Sequence, residues 1–96
     1  MFRIALAQIA SSTDKNANLT LAKDLVKGAK SNGASLIAFP EFLMSYSPDS
    51  QSAEELAGLA EPINGPFIIA LRNAAKAAGL SILATIYERC HLPNRV

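Results

Sequence analysis

The sequence predicts an α/β fold in which three short parallel strands alternate with helices. Three runs rich in apolar residues, at 2–9, 36–39 and 80–87, have the length and composition of strands buried by neighbouring layers. Between them, apolar residues recur every three or four positions, which is the spacing of an amphipathic helix. A strand, a helix and a second strand in this order require parallel pairing and a right-handed crossover. We therefore expect a sheet with helices packed against it.

Composition places the chain among small globular proteins. Its 96 residues suit at most one small domain, and 50% hydrophobic residues with 18% charged residues are typical of a packed interior rather than of a disordered chain. The nine Lys and Arg residues are scattered among eight acids, so the sequence has no basic stripe for nucleic acid. No apolar run approaches the roughly 20 residues that span a bilayer. A single cysteine cannot form an internal disulfide. We expect a cytoplasmic protein without a nucleic acid or membrane partner.

The first strand and the first helix are predicted within residues 2–33. The run 2–9 is almost free of charge, so we expect a central strand with both faces covered. Capping residue types cluster at 11–16, where a helix should begin. Its buried face is predicted to carry Leu19, Leu21, Ala22, Leu25, Val26 and Ala29, while Lys15, Lys23, Asp24, Lys27 and Lys30 lie mostly on the solvent-exposed face. Gly33 is predicted to follow the last turn in the left-handed conformation.

The second strand delivers an acid to the edge of the sheet. Pro40 follows the apolar run 36–39, has no amide hydrogen for a sheet ladder and keeps the preceding residue extended, so the backbone leaves the sheet there. Glu41 is therefore placed just beyond the carboxyl end of a strand, where open parallel sheets bind ligands. This position makes Glu41 a candidate catalytic residue. On the local sequence alone, a solvated carboxylate or a helix N-cap is the more common explanation.

A polar loop and a short helix are predicted next. The loop 44–51 contains Tyr46, which either contributes to a binding site or covers the loop itself. Ser52 and Glu55 have the spacing of a capping box, so a short helix should follow them.

A third helix and a third strand complete the pattern. Pro66 suits the first turn of a helix, which Gly79 is predicted to end just before the strand 80–87. The tail 88–96 contains no closing element, so we expect the last strand to be an open edge of a fold that is incomplete.

Six of these features, taken in order, resemble the opening third of the nitrilase, or carbon-nitrogen hydrolase, superfamily. They are the strand 2–9, Asn16-Ala17-Asn18-Leu19, Gly33-Ala34, Leu36-Ile37-Ala38-Phe39-Pro40-Glu41, Asn64-Gly65-Pro66 and Ile86-Tyr87-Glu88. Pro-Glu after a strand is common by itself, but the order and spacing of all six are specific. The resemblance covers nearly the whole chain and identifies residues 1–96 as the amino-terminal part of a single carbon-nitrogen hydrolase domain.

The resemblance implies a four-layer αββα sandwich and a Glu-Lys-Cys triad that hydrolyses non-peptide carbon–nitrogen bonds in amides, nitriles or carbamoyl compounds. Only Glu41 maps onto this triad, as the base that activates the cysteine and then the hydrolytic water. The family's lysine and nucleophilic cysteine lie beyond residue 96, so the chain alone is expected to be inactive. We expect a small-molecule amide or nitrile substrate, no cofactor or metal, and a homo-oligomer when full length.

By residue type alone, Cys90 and His91 are an alternative nucleophile and base. Neighbouring residues of an extended segment point to opposite sides, so these side chains cannot easily meet, and two ligands are too few for a metal site. We expect Cys90 to be a free thiol without a catalytic role. Glu88 matches an acidic position common in the family and is expected to be supporting rather than catalytic.

Two other functions rank below the hydrolase. A Rossmann-like nucleotide-binding module would share the βαβ order, but the first strand is followed by Ala10-Ser11-Ser12-Thr13 and not by a glycine-rich phosphate turn. A non-enzymatic interaction or regulatory module would use the open sheet edge to pair with another chain.

Overall fold

The structure, a computed structural model, describes residues 2–89. Three strands and three helices follow one another as β1 (Ile4–Leu6), α1 (Lys15–Ser31), β2 (Leu36–Ala38), α2 (Ala53–Leu59), α3 (Pro66–Ala78) and β3 (Ser81–Leu83). The strands form one parallel sheet in the order β1-β2-β3, in which Ile37 is aligned with Ala5 on one side and with Ile82 on the other. The predicted α/β class and parallel pairing are confirmed.

The apolar core lies between the sheet and the two long helices. α1 and α3 pack against each other, and both lie on one face of the sheet because the strand order advances in one direction through right-handed crossovers. The middle residue of each strand belongs to the same apolar cluster as the inner faces of the helices. The buried members of this cluster are Ala22, Val26, Ala29, Ile37, Phe39, Leu43, Met44, Phe67, Leu71, Ala78 and Leu80.

The opposite face of the sheet is bare in the described part of the chain. Side chains alternate along a strand, so the residues before and after each middle position point away from the helices. They are Ile4, Leu6, Leu36, Ala38, Ser81 and Leu83, of which Leu6 is 74% and Leu83 62% exposed. The prediction that β1 is a central strand is wrong for residues 2–89, because β1 pairs with β2 alone. The predicted cover on its second face is absent within these residues, where Ile4 and Leu6 are 52% and 74% exposed. An apolar run indicates burial but does not identify the layer that provides it.

The helix ends follow the capping signals of the sequence. The Asp14 carboxylate caps α1 by accepting hydrogen bonds from two amides of the first turn, and Ser52 and Glu55 form the predicted capping box of α2. α3 begins at Pro66 and ends at Gly79, whose φ of 68° lies in the left-handed region that favours glycine. These boundaries are confirmed because they depend only on neighbouring residues.

The third strand and the outer surface of α1 differ from the predictions. Only Ser81–Leu83 pairs within the sheet, although the predicted strand extends to residue 87; beyond β3, Glu88 forms an isolated parallel bridge with Glu61. Leu21 is 38% exposed and lies off the buried face of α1. None of the helices described within residues 2–89 has both the length and the apolar character needed to cross a membrane.

Candidate functional site

Glu41 lies immediately beyond the carboxyl end of β2, at the predicted position. The Phe39 amide still donates to the Leu83 carbonyl of β3, at 2.9 Å, so the sheet holds the chain up to this residue. Pro40 then turns the backbone: the Leu43 amide donates to the Pro40 carbonyl at 3.3 Å and closes a four-residue turn with Glu41 in its second position. The turn leaves Glu41 exposed at the edge of the sheet.

A cavity of about 420 Å³ opens at this edge. Its walls come from the segments that follow β1 and β2, namely Ile9, Ala10, Ser11, Pro40, Glu41, Phe42 and Tyr46. Glu41 is the one carboxylate among these lining residues. Phe42 and Tyr46 meet edge to face, with ring centroids 5.5 Å apart, and form an aromatic side of the cavity. One charged group in a mostly apolar hollow suits a small organic molecule.

A larger groove of about 650 Å³ runs between α1 and α3. Lysines and alanines of the two helices line it, and it contains no carboxylate. Its lining residues belong to the later turns of α1 and α3 and do not include the segments at the carboxyl edge of the sheet, so we place the candidate site at Glu41 and not in this groove.

The segment that follows the Glu41 turn is buried and held from two sides. Leu43, Met44 and Ser45 are at most 1% exposed. The Asn18 side-chain amide donates to the Met44 carbonyl at 3.2 Å, and the Tyr87 hydroxyl donates to the Ser45 carbonyl at 2.9 Å. Asn18 belongs to α1 and Tyr87 to the segment after β3, so two separate parts of the fold support the turn.

The negative charge of Glu41 also affects the pKa of the Tyr87 phenol. Burial raises the pKa of the Tyr87 phenol, the neighbouring Ser47 hydroxyl lowers it, and the negative charge of Glu41 raises it, so the pKa lies above its ordinary value. Tyr87 is therefore electrostatically coupled to Glu41 as well as bonded to the segment beneath it.

A second acid, Glu61, is more buried than Glu41 and is fully paired. It is 7% exposed and accepts hydrogen bonds from the Phe67 amide at 2.7 Å and from the Lys15 ammonium group at 2.5 Å. Desolvation alone would raise the pKa of Glu61, but these two donors and the positive charges of Lys15 and Arg89 outweigh it and lower the pKa. A general base needs a raised pKa, so this carboxylate forms a structural ion pair.

Comparison with known proteins identifies the family. The sequence model of the carbon-nitrogen hydrolases matches residues 3–96, which is nearly the whole chain. The chain belongs to the carbon-nitrogen hydrolase family.

Individual relatives agree with this assignment. A hydrolase of Mycobacterium tuberculosis is 39% identical over 85 residues, which are 88% of this chain and 29% of that protein. N-carbamoylputrescine amidase of Solanum lycopersicum is 30% identical over 89 residues, which are 92% of this chain and 30% of that protein. The crystal structure of an amidase from Nesterenkonia sp. matches with a TM-score of 0.60 and 29% identity, over 86% of this chain and 31% of that one. The chain thus spans less than a third of the length of these relatives.

Within this carbon-nitrogen hydrolase chain, several residues differ in role from their sequence-based predictions. Lys15 does not lie free on the solvent-exposed face, because it donates to Glu61 and, at 3.0 Å, to the Leu59 carbonyl. The supporting contacts of Asn18 and Tyr87 were not predicted at all. A weak signal existed for Glu61, which stands five residues before the first residue of α3, since anions are favoured near helix N-termini.

The remaining candidate residues of the sequence analysis are Tyr46, Glu88, Cys90 and His91. Tyr46 packs on Phe42 and is 45% exposed, so it both lines the cavity and borders the loop. Glu88 is exposed and meets Glu61 through the backbone bridge. Cys90 and His91 lie outside the described residues. Within residues 2–89, no group of three His, Cys, Asp or Glu side chains is placed to hold a metal ion.

The start of α1 argues against a nucleotide site. In a Rossmann-like module the amides at this helix N-terminus would bind phosphate. Here the Asp14 carboxylate accepts from the Asn16 and Ala17 amides at 3.0 and 3.1 Å. A negative side chain already occupies the donors that a phosphate would need.

Proposed function

We propose that this chain is the amino-terminal part of a carbon-nitrogen hydrolase domain in which Glu41 is the general base of a Glu-Lys-Cys triad. The substrate is proposed to be a small-molecule amide, nitrile or carbamoyl compound. The observation that carries the proposal is the position of Glu41: a carboxylate delivered by Pro40 to the carboxyl edge of a parallel sheet, where it lines a largely apolar cavity.

The chemistry requires a base at this position. A cysteine attacks as the thiolate, so a neighbouring group must accept its proton. A carboxylate that loses water contacts as its pocket closes gains proton affinity and can accept that proton. A lysine then stabilises the oxyanion of the tetrahedral intermediate, an electrostatic contribution of ~3 kcal/mol per donor. When the carbon–nitrogen bond breaks, the protonated carboxyl group gives its proton to the departing amine or ammonia, and the carbonyl carbon remains bonded to the cysteine as a thioester. The regenerated carboxylate then activates the water that hydrolyses this thioester.

In this proposal, the cavity beside Glu41 is one side of a larger substrate pocket. Residues after β1 and β2 supply its walls, and Glu41 faces the sheet edge where the later part of the domain would add the lysine and cysteine. The open position of Glu41 is consistent with this arrangement, because a base must reach both the nucleophile and the water. The chain alone is proposed to be inactive, since it contributes only the base.

The substrate class is argued from relatives and from the cavity lining. Two of the matched proteins are named as amidases, one of them an N-carbamoylputrescine amidase. The aromatic pair of Phe42 and Tyr46 and the apolar Ile9 would contact a carbon-rich part of the substrate. We therefore propose primary amides and carbamoyl amines with an apolar portion as the first compounds to assay.

The test uses Glu41→Gln in the full-length protein that contains this chain. Glutamine keeps the size of the side chain but cannot accept the proton, so kcat for amide hydrolysis should fall by about 100-fold or more. Glu54→Gln is the matched control, because Glu54 is an exposed acid in the first turn of α2; it should keep the parent rate.

Two results would contradict the proposal. One is a Glu41→Gln enzyme that hydrolyses amides at the parent rate. The other is turnover by the isolated 96-residue chain that disappears in Glu41→Gln, because the proposed triad is incomplete in that chain.

A further inference from the structure

We propose that Tyr87 is a positioning residue for Glu41, holding the turn that presents the base to its cavity. This inference rests on the proposed function, because it assigns a role relative to the proposed base. It concerns how the carboxylate is kept in place and not the chemistry that it performs.

The Glu41 turn has little support of its own. The hydrogen bond from Leu43 to Pro40 that closes it is long, at 3.3 Å. The Glu41 side chain is exposed, and the one ion pair of the described residues joins Lys15 to Glu61. The direction of the carboxylate therefore depends on the backbone to which the turn is attached.

Tyr87 binds that backbone directly. Its hydroxyl donates to the Ser45 carbonyl at 2.9 Å, two residues past the end of the turn. Its amide lies 3.5 Å from the Met44 sulfur, a weaker contact with the same segment. Because Met44 and Ser45 are at most 1% exposed, water cannot readily replace a lost donor there.

Tyr87 is itself held in place, as a positioning residue must be. The Glu61 amide donates to the Tyr87 carbonyl at 3.0 Å, and the Arg89 amide donates to the Glu61 carbonyl at 2.8 Å. These bonds fix the segment after β3 against the start of the α3 region. The backbone bridge between Glu61 and Glu88 therefore holds Tyr87 in place, and the Tyr87 hydroxyl holds the segment that follows the Glu41 turn.

The charge of Glu41 acts on the same tyrosine. The Glu41 carboxylate raises the pKa of the Tyr87 phenol, in addition to the effect of burial, so the two groups lie within electrostatic range. Neutralising Glu41 should therefore lower the pKa of Tyr87. This readout does not require enzymatic activity.

A loosened turn should reduce the chemical step more than substrate binding. A general base must lie within hydrogen-bond reach of the proton that it accepts, and a misplacement of about 1 Å can cost 100-fold in rate. The hydrophobic walls of the cavity do not include Tyr87. Its loss should therefore lower kcat while KM changes little.

The experiment compares Tyr87→Phe with Thr20→Val in the full-length protein. Tyr87→Phe keeps the ring and removes the hydroxyl, and we expect kcat to fall about tenfold with KM changed by less than about twofold. The Thr20 hydroxyl also donates to a backbone carbonyl, that of Asn16 at 3.1 Å, but on an exposed turn of α1; Thr20→Val should keep the parent kcat.

The outcomes separate this inference from the proposed function. A parent kcat in Tyr87→Phe, with Glu41→Gln inactive, overturns the positioning role and leaves Glu41 as the base. If Glu41→Gln is as active as the parent, the proposed function fails, and Tyr87 is then judged by two other measurements. NMR titration of tyrosine-labelled protein should show a lower Tyr87 pKa in Glu41→Gln, and the crystal structure of Tyr87→Phe should show a displaced 40–43 turn. An unchanged pKa and an unmoved turn would refute the link between the two residues.

Discussion

At the scale of single residues, Glu61 joins three parts of the chain through one buried carboxylate. Lys15 belongs to the first turn of α1, the Phe67 amide to the start of α3, and Arg89 to the segment after β3. Breaking such a pair leaves the other charge partly buried and without a counter-ion, which costs more than the pair contributes in water.

The replacement Glu61→Gln should lower the free energy of unfolding by roughly 2 kcal/mol at neutral pH. The pKa of Glu61 is lowered in the folded protein relative to 4.5, so its contribution is present above pH 4.5 and is lost as the pH falls through the lower folded value. Urea unfolding between pH 7 and pH 3 should show the parent and Glu61→Gln converging at acidic pH. Asp24→Asn, an exposed acid of α1, is the control, and a constant difference across this range would argue against the ion pair.

Gly65 is the residue that makes room for this carboxylate. A Cβ at position 65 would lie 2.9 Å from the Glu61 Oε1 atom, closer than real Cβ atoms approach, and 3.0 Å from the Pro62 carbonyl oxygen, tighter than most real Cβ contacts. Gly65→Ala should therefore destabilise the protein by about 1–3 kcal/mol in thermal or chemical unfolding. Gly28→Ala is the matched control: nothing lies within 4 Å of its added methyl group within α1, so it should stabilise by about 0.5–1 kcal/mol. Equal effects of the two substitutions would contradict the close contact.

Sequence reasoning placed Glu41 but not the residues that support it. The position of Glu41 follows from its neighbours, because Pro40 ends a strand by its own geometry. The contacts of Glu61 with Lys15, of Asn18 with Met44 and of Tyr87 with Ser45 span 46, 26 and 42 residues. No local pattern identifies such partners, since they meet only when the strands are paired in order.

At the scale of elements, α2 depends on its cap more than the other helices do. None of the residues of Ala53–Leu59 is buried, so packing contributes little to this helix. The Ser52 hydroxyl accepts from the Glu55 amide at 3.0 Å, and the Glu55 carboxylate accepts from the Ser52 amide at 3.2 Å. The capping box therefore satisfies two backbone amides at the start of a helix that has no buried residue.

The substitution Ser52→Ala should destabilise α2 by about 1 kcal/mol. Amide hydrogen exchange of α2 should accelerate about fivefold, while the amides of α1 and α3 keep their protection. Ser31→Ala removes a hydroxyl that donates to the Lys27 carbonyl at the end of α1, and it should leave α2 unchanged. Unaltered exchange at Glu55 in Ser52→Ala would show that the capping box contributes nothing to this helix.

The difference between features set by neighbouring residues and contacts between distant residues also explains which elements were predicted correctly. The caps of all three helices could be found because each uses residues within one turn of the helix end. The number of strands was also predicted, but the central position predicted for β1 was wrong for the described residues. Strand order and layer order are properties of the assembled sheet, and an apolar run such as 2–9 contains no information on its neighbours.

At the scale of the whole molecule, the sheet has helices on one face only within residues 2–89. The described residues supply one helix layer and one sheet layer, and the chain spans about 30% of the relatives that it matches. The three parallel strands agree with part of the αββα sandwich implied by the resemblance and with the structural match to an amidase. In that sandwich a second sheet would pack on the bare face.

A charged residue on the bare face of the sheet should favour the monomer in the isolated chain but destabilise the full-length protein. Leu6 and Leu83 project from it and are 74% and 62% exposed, and both edge strands have unpaired backbone groups within residues 2–89. The isolated 96-residue chain should therefore self-associate, and Leu6→Lys should increase the monomer fraction in analytical ultracentrifugation. Leu21→Lys, at an exposed position of α1, is the control and should not.

The full-length protein should respond to the same substitution in the opposite way. If the second sheet of the sandwich covers Leu6, a lysine there would bury an unpaired charge, and Leu6→Lys should destabilise the protein by roughly 3 kcal/mol or more. Leu21→Lys should remain close to the parent, because Leu21 lies outside the apolar core cluster and away from the bare face of the sheet. Thermal unfolding of the two variants measures this directly. A full-length Leu6→Lys protein as stable as the parent would show that this face is not covered, and the four-layer arrangement would then not apply to this chain.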